Sequence, residues 1–235
     1  CGQRRNKRID RQYITDEVQY TILQTNKGFL YSLKKIIVNP GKTAREFIDG
    51  KRVKHYTPIS MAFVLTGIST FISYKFIGIA DIINELYAKQ GINQNFTNAY
   101  LDFLSNYISL VFLLMIPIFA VFTKIGFRKW GHNYYEHIVM NAYLLSFYNL
   151  ISILLIYPLM YIFKSDSAAV ASISGYSMFL YPFILFYFFK GFYAEKPIFA
   201  VIKKILLTSL LMVGGVVIFG LFFFLTGVLI AFLGR

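Results

Sequence analysis

The feature that most constrains this chain is a change of solvent inside one stretch, residues 40–79, PGKTAREFIDGKRVKHYTPISMAFVLTGISTFISYKFIGI. Its first third is dense in Lys and Arg. The remainder is apolar for long enough to cross a bilayer, which takes about 20 residues. Such a boundary fixes where the chain meets the membrane and which side its N-terminus occupies. The first apolar run covers 58–80, and four more follow at 103–123, 138–163, 170–189 and 205–233. The chain therefore reads as all-α, a polytopic membrane protein with five transmembrane helices. A basic amphipathic helical region, residues 1–56, precedes the transmembrane domain, residues 57–235.

Composition agrees: 57% of the residues are hydrophobic and only 15% charged, against about 25% charged in soluble domains. The net charge of +13 raises the question of nucleic acid. A nucleic-acid domain spreads its cations over a soluble surface, whereas here 13 of the 24 Lys and Arg precede the first span. That placement excludes nucleic acid and favours anionic headgroups, each nearby cation being worth about 1 kcal/mol. With the N-terminus inside, the inner segments hold twenty cations; the outer ones hold Lys75, Lys89, Lys164 and Arg235. The bias predicts a cytoplasmic N-terminus and an external C-terminus.

Within the basic region, Thr15 can cap a helix with Asp16 and Glu17 in its first turn. Val18, Ile22, Phe29, Leu33, Ile36 and Ile37, with Leu30 beside them, then recur at helical spacing over about six turns. Asn39-Pro40-Gly41 ends that helix. It either lies on the membrane surface or lays its stripe on the ends of the spans. Thr43 and Glu46 make a capping-box pattern for a second helix, closed by Gly50. Thr57-Pro58 reads as the N-cap and first-turn proline of the first span. The cations here, Lys34, Lys35, Lys42, Arg45, Lys51, Arg52 and Lys54, are the candidate contacts to lipid or to a protein partner.

Titratable groups cluster once near a membrane boundary. His132 and Glu136 are four apart and would share a helical face, with His137 beside them. This set could serve metal, proton or polar-substrate chemistry, although a catalytic zinc takes three protein ligands. The plainer reading pairs Glu136 with Arg128 or Lys129. Asn141 and Asn149 fall within a span and need partners there. Interhelical hydrogen bonds of about 0.6 kcal/mol are one answer and a polar cavity is another. Pro117, Pro158 and Pro182 can kink three consecutive spans. Gly220, Gly227 and Gly234, seven apart, put small residues on one face for close contact within the chain or in a homodimer. No P-loop, nucleophile-elbow or His-Glu-x-x-His pattern appears, which leans away from an enzyme. The single cysteine, Cys1, opens the sequence in place of Met, so an upstream segment is expected. Cys1 reads as the last ligand of a truncated zinc knuckle, as an acylated lipoprotein residue, or as a plain boundary.

Several of these segments together resemble a family of bacterial multispan membrane proteins known only as a domain of unknown function. The resemblance rests on Cys1-Gly2, Arg8-Ile9, a Lys-Gly-Phe helix over 27–35, the segment 40–52, and Glu136-His137. It covers nothing from about residue 165 onward, and it implies a bacterial inner membrane. It implies that Cys1 closed a zinc ribbon whose other ligands lie upstream, so zinc would be a cofactor only with those residues; no other cofactor is expected. It implies no activity. The expected function is a non-enzymatic binding or scaffolding subunit that engages membrane lipids and a protein partner through its basic region. Alternatives are a transporter or channel component using Asn141, Asn149 and Glu136, and a lipid-modifying enzyme using His132, Glu136 and His137.

Overall fold

The computed structural model describes residues 28–52, 55–91 and 94–233, among which there is no strand. The expected helix start at Thr15, together with Cys1, Lys54 and Gly234, lies outside the described residues.

Two short helices open the structure, α1 (Gly28–Val38) and α2 (Pro40–Ile48). Asn39 both ends the first and starts the second. Its N–H reaches Lys35 O at 2.8 Å, and its side chain accepts from the Lys42 N–H at 2.9 Å. The capping box expected from Thr43 and Glu46 does not form. Pro40 can occupy the first helical position without losing a bonded N–H, so α2 begins four residues earlier than the pattern indicated, capped by Asn39 rather than Thr43. The Thr43 hydroxyl instead donates back to Asn39 O at 2.8 Å. Gly50, at φ +99°, follows the end of α2 as expected.

Five helices among the described residues are long and apolar enough to cross a membrane: Pro58–Ile77, Asn106–Gly126, Tyr134–Ile162, Ser167–Phe192 and Ile198–Gly215. The first joins α3 (Pro58–Phe71) to a π-helical turn, Ile72–Ile77. After α4 (Ile79–Lys89), the second belongs to α5 (Gln94–Gly126). The third is α6 (Tyr134–Ile151), a π-helical turn Ser152–Ile156, and α7 (Tyr157–Ile162). The fourth is α8 (Ser167–Ser177), a 3-10 turn Met178–Leu180, and α9 (Tyr181–Phe192). The fifth opens α10 (Ile198–Leu233). Two expected kinks have a visible form. A proline clashes with the carbonyl four residues back; the loosened π turn precedes Pro158, and the 3-10 turn precedes Pro182.

The third span is the axis of the bundle, with 56% of its apolar window buried against 17–28% for the others. Lipid supplies no hydrophobic drive between helices, so polar links and small residues must hold them. Asn149 Nδ2 donates to Thr66 Oγ1 at 2.9 Å, the Ser69 and Tyr157 hydroxyls share a bond of 2.7 Å, and Asn141 Nδ2 donates to Thr123 Oγ1 at 2.9 Å. At Gly126 and Gly215 an added Cβ would stand 2.0 Å from Thr208 Oγ1 and 2.6 Å from Phe122 Cζ, so α5 and α10 cross closely there. Gly220 and Gly227, where close contact was expected, lie further along α10. Two apolar clusters mark the ends of the bundle. One joins Tyr56, Phe127, Tyr143, Phe189 and Tyr193; the other joins Ile77, Ile82, Ile156, Met160 and Val170.

Candidate functional site

The first cluster lies at the basic end, and α1 and α2 are docked on it. On α1, Ser32 and Ile36 are buried; on α2, Pro40, Gly41, Thr43 and Ala44 are buried. The Tyr56 N–H donates to Ser32 Oγ at 2.8 Å, and the Tyr143 hydroxyl donates to Tyr56 O at 3.3 Å. The Tyr187 hydroxyl donates to Val38 O. Two glycines permit α2 to reach α9. A Cβ on Gly41 would fall 1.9 Å from Phe188 O, and one on Gly191 would fall 2.4 Å from Asn39 Oδ1.

Where α2 meets α9, the surface opens into a cavity of about 660 Å³. Lys42, Arg45, Lys51 and Lys190 line it, against Glu46 and Glu195, and Phe186, Tyr187 and Phe192 form an aromatic wall. Lys190 Nζ is fixed by Ala194 O at 2.7 Å and Lys196 O at 2.8 Å, carbonyls just past the end of α9. Arg45 pairs with Asp49 at 3.1 Å and stands over the Phe192 ring at 5.5 Å. Glu46 is shared by Lys51 at 3.7 Å, His55 at 3.8 Å and Lys35 at 3.9 Å. Burial pushes the His55 imidazole below its ordinary value of 6.5, Glu46 opposing and Lys35 and Lys51 reinforcing the shift. The lining thus carries four cations and two acids, a positive surplus that a bound anion would answer.

Of the cations singled out in the sequence, Lys42, Arg45 and Lys51 line this cavity. Lys35 reaches it only through Glu46. Lys34 lies exposed on α1, and Arg52 turns back onto Phe47, donating to its carbonyl at 3.2 Å. The sequence reading missed Lys190 and Glu195 as partners of α2. Their placement at the end of the fourth span was visible; the close approach through Gly41 and Gly191 was not.

The His132, Glu136, His137 set is divided. The helix begins at Tyr134, with Asn133 as its cap, so His132 precedes it and shares no helical face with Glu136. Glu136 instead completes the capping box, its Oε2 accepting from the Asn133 N–H at 2.6 Å. The two histidine rings do approach, centroids 6.5 Å apart. His132 Nδ1 lies 3.2 Å from the Tyr193 hydroxyl, and Lys124 donates to its backbone carbonyl. Burial disfavours the charged form of His132, with Glu136 acting against that shift and Arg45 with it. His137 is fully buried in the aromatic cluster, and neither ring nitrogen has a hydrogen-bond partner among the described residues. Among those residues no group of three or more His, Cys, Asp or Glu could hold a metal ion. Asn141 borders an open volume of only about 40 Å³.

A family model described as a protein of unknown function (DUF3667) matches residues 26–70. The chain is thus similar to an uncharacterised family over α1, α2 and most of α3, the pieces that build one side of the basic end. Comparison with curated proteins and with solved structures gives no match.

Proposed function

We propose that this is a membrane-embedded binding protein rather than a catalyst, and that its basic end holds the headgroup of an anionic lipid. The observation that carries the reading is the cavity of about 660 Å³, with its surplus of cations and its aromatic wall. The cations come from two separate pieces of backbone, α2 with the turn after it and the end of α9. A phosphate between them would gain charge-assisted hydrogen bonds and hold the two pieces together. Arg52, which does not line the cavity, leaves basic surface for a protein partner. The charge bias favours the cytosolic side for this end and an external C-terminus, and the resemblance to a bacterial family favours a bacterial inner membrane. A transport reading would need a polar space near mid-membrane; the bonding of Asn141 and Asn149 to threonines supports the binding reading instead.

The test compares lipid that co-purifies with the wild-type chain and with a Lys42→Glu, Lys51→Glu variant, quantified by mass spectrometry. Wild type is expected to retain anionic lipid above its share in the membrane. The variant should lose about tenfold of that enrichment, the effect of roughly 1.4 kcal/mol. Bulk composition in the wild type, or full retention by the variant, would overturn the proposal.

A further inference from the structure

Helix α1 carries two apolar faces. Ser32 and Ile36 are buried against the bundle, with Phe29 and Leu33 packed beside them. On the opposite side Leu30 and Val38 are 74% and 63% exposed, and Tyr31 and Ile37 are exposed as well. At 100° per residue these four fall within one arc, with Lys34 in its middle. Such a stripe in water would be an apolar patch needing a cover.

Two bonds set its level. Ser32 accepts from Tyr56, two residues before the first span begins at Pro58. Val38 accepts from Tyr187, five residues before the fourth span ends at Phe192. The fourth apolar run ends at 189 and its helix at Phe192, so this bond lies two to five residues inside that end, about 3–7.5 Å of helical rise. Interfacial helices bury their apolar faces about 5–10 Å into the boundary between headgroups and acyl chains. The stripe is also continuous with bilayer-facing surface, because Tyr187 is itself exposed and Phe183, one turn earlier on α9, is 72% exposed. Lys34 can bury its aliphatic stem there and lift its ammonium to the phosphates.

We infer that the exposed face of α1 is seated in the lipid interface, and that the cavity beside it is filled sideways, by lipid from the bilayer rather than by a soluble anion. The second half rests on the anionic-lipid reading; the first half does not. Tyr187 belongs to both surfaces, lining the cavity and bonding Val38. A headgroup between Lys42 and Lys190 could therefore keep its chains against Tyr187 and Phe183 without leaving the membrane.

The test places an environment-sensitive fluorophore on single cysteines at Leu30, Val38 or Asp49, in a Cys1→Ser background, with the full chain in nanodiscs. Positions 30 and 38 should emit at shorter wavelength than 49 and be quenched by lipids bearing a nitroxide high on the acyl chain. They should do so equally in neutral and in anionic lipid. A blue shift without lipid quenching would mean that protein covers the stripe, and emission matching position 49 would mean water; either overturns the placement. For the cavity, glycerol phosphate should fail to displace co-purified anionic lipid; displacement would overturn sideways filling. Quenching retained with no anionic enrichment would remove the headgroup reading and leave α1 in the interface.

Discussion

His137 is the side chain whose chemistry and surroundings agree least. It is fully buried, and both of its ring nitrogens lack a partner among the described residues. A buried polar group left unsatisfied costs about 1–3 kcal/mol. His137→Leu keeps the bulk and removes the polar atoms, so it should raise the midpoint of thermal unfolding in detergent, and a lowered midpoint would show that the imidazole bonds something such as water. Gly41 makes the opposite demand. The atom its Cβ would strike, Phe188 O, is backbone and cannot rotate away. Gly41→Ala should cost more than about 2 kcal/mol, in the range of severe steric changes. Gly50→Ala meets open space and pays only for its positive φ, about 1 kcal/mol. Equal midpoints for the two alanine variants would refute the close approach of α2 to α9. Nothing local in the sequence marks Gly41 as different from Gly50, because the difference lies in a helix some 150 residues away.

At the scale of helices, the sequence was most legible where one residue type settles a boundary. Thr57-Pro58 starts the first span as the pattern required. It was least legible where two residues competed for one role. Asn39 outbid Thr43 for the cap of α2, and Asn133 recruited Glu136 into a capping box, which removed that acid from the histidines. The apolar pattern of α1 was legible, but its division between a side packed on the bundle and an exposed side was not, because periodicity counts apolar residues without saying what each side meets. The contact between α1, α2 and the first span passes through His55, whose side chain is wedged between Tyr31 and Phe47 and faces Glu46, Lys35 and Lys51. Its charged form is disfavoured when folded. The unfolded chain therefore binds the extra proton first, and stability is expected to fall as pH drops below the ordinary 6.5. Proteolysis between α2 and the first span should accelerate under acid in the wild type. The acceleration should shrink in His55→Phe; an unchanged acid response would show that another group controls the contact.

For the molecule as a whole, five spans were legible because the bilayer reads length and hydropathy, which are local properties. The exact ends were not, because hydropathy stops at charges whereas helices stop at caps: α10 begins at Ile198 and carries Lys203 and Lys204 within it, where the apolar run suggested a start at 205. The order of contacts fixes which loops share an end. Phe127 stacks on Phe189 at 4.5 Å, and the Tyr143 hydroxyl reaches Tyr56 O, so the segments before the first span and after the second and fourth meet at the basic end. At the other end Ser167 donates to Glu85 and Val170 joins Ile77 and Ile82. Since these two sets of loops cannot share a compartment, labelling one loop from each determines the whole topology. With Cys1→Ser as background, cysteines replacing Asp49 and Lys164 should react oppositely with a membrane-impermeant maleimide. Under the proposed orientation, position 164 should label and position 49 should not when only the outer face of the membrane is exposed, and inverted vesicles should reverse the pattern. Labelling of 49 alone from outside would keep the bundle and invert its orientation, against the preference of cations for the cytosolic side. Labelling of both from one side would break the five-span arrangement itself, since an odd number of crossings is what puts the two loops on opposite faces.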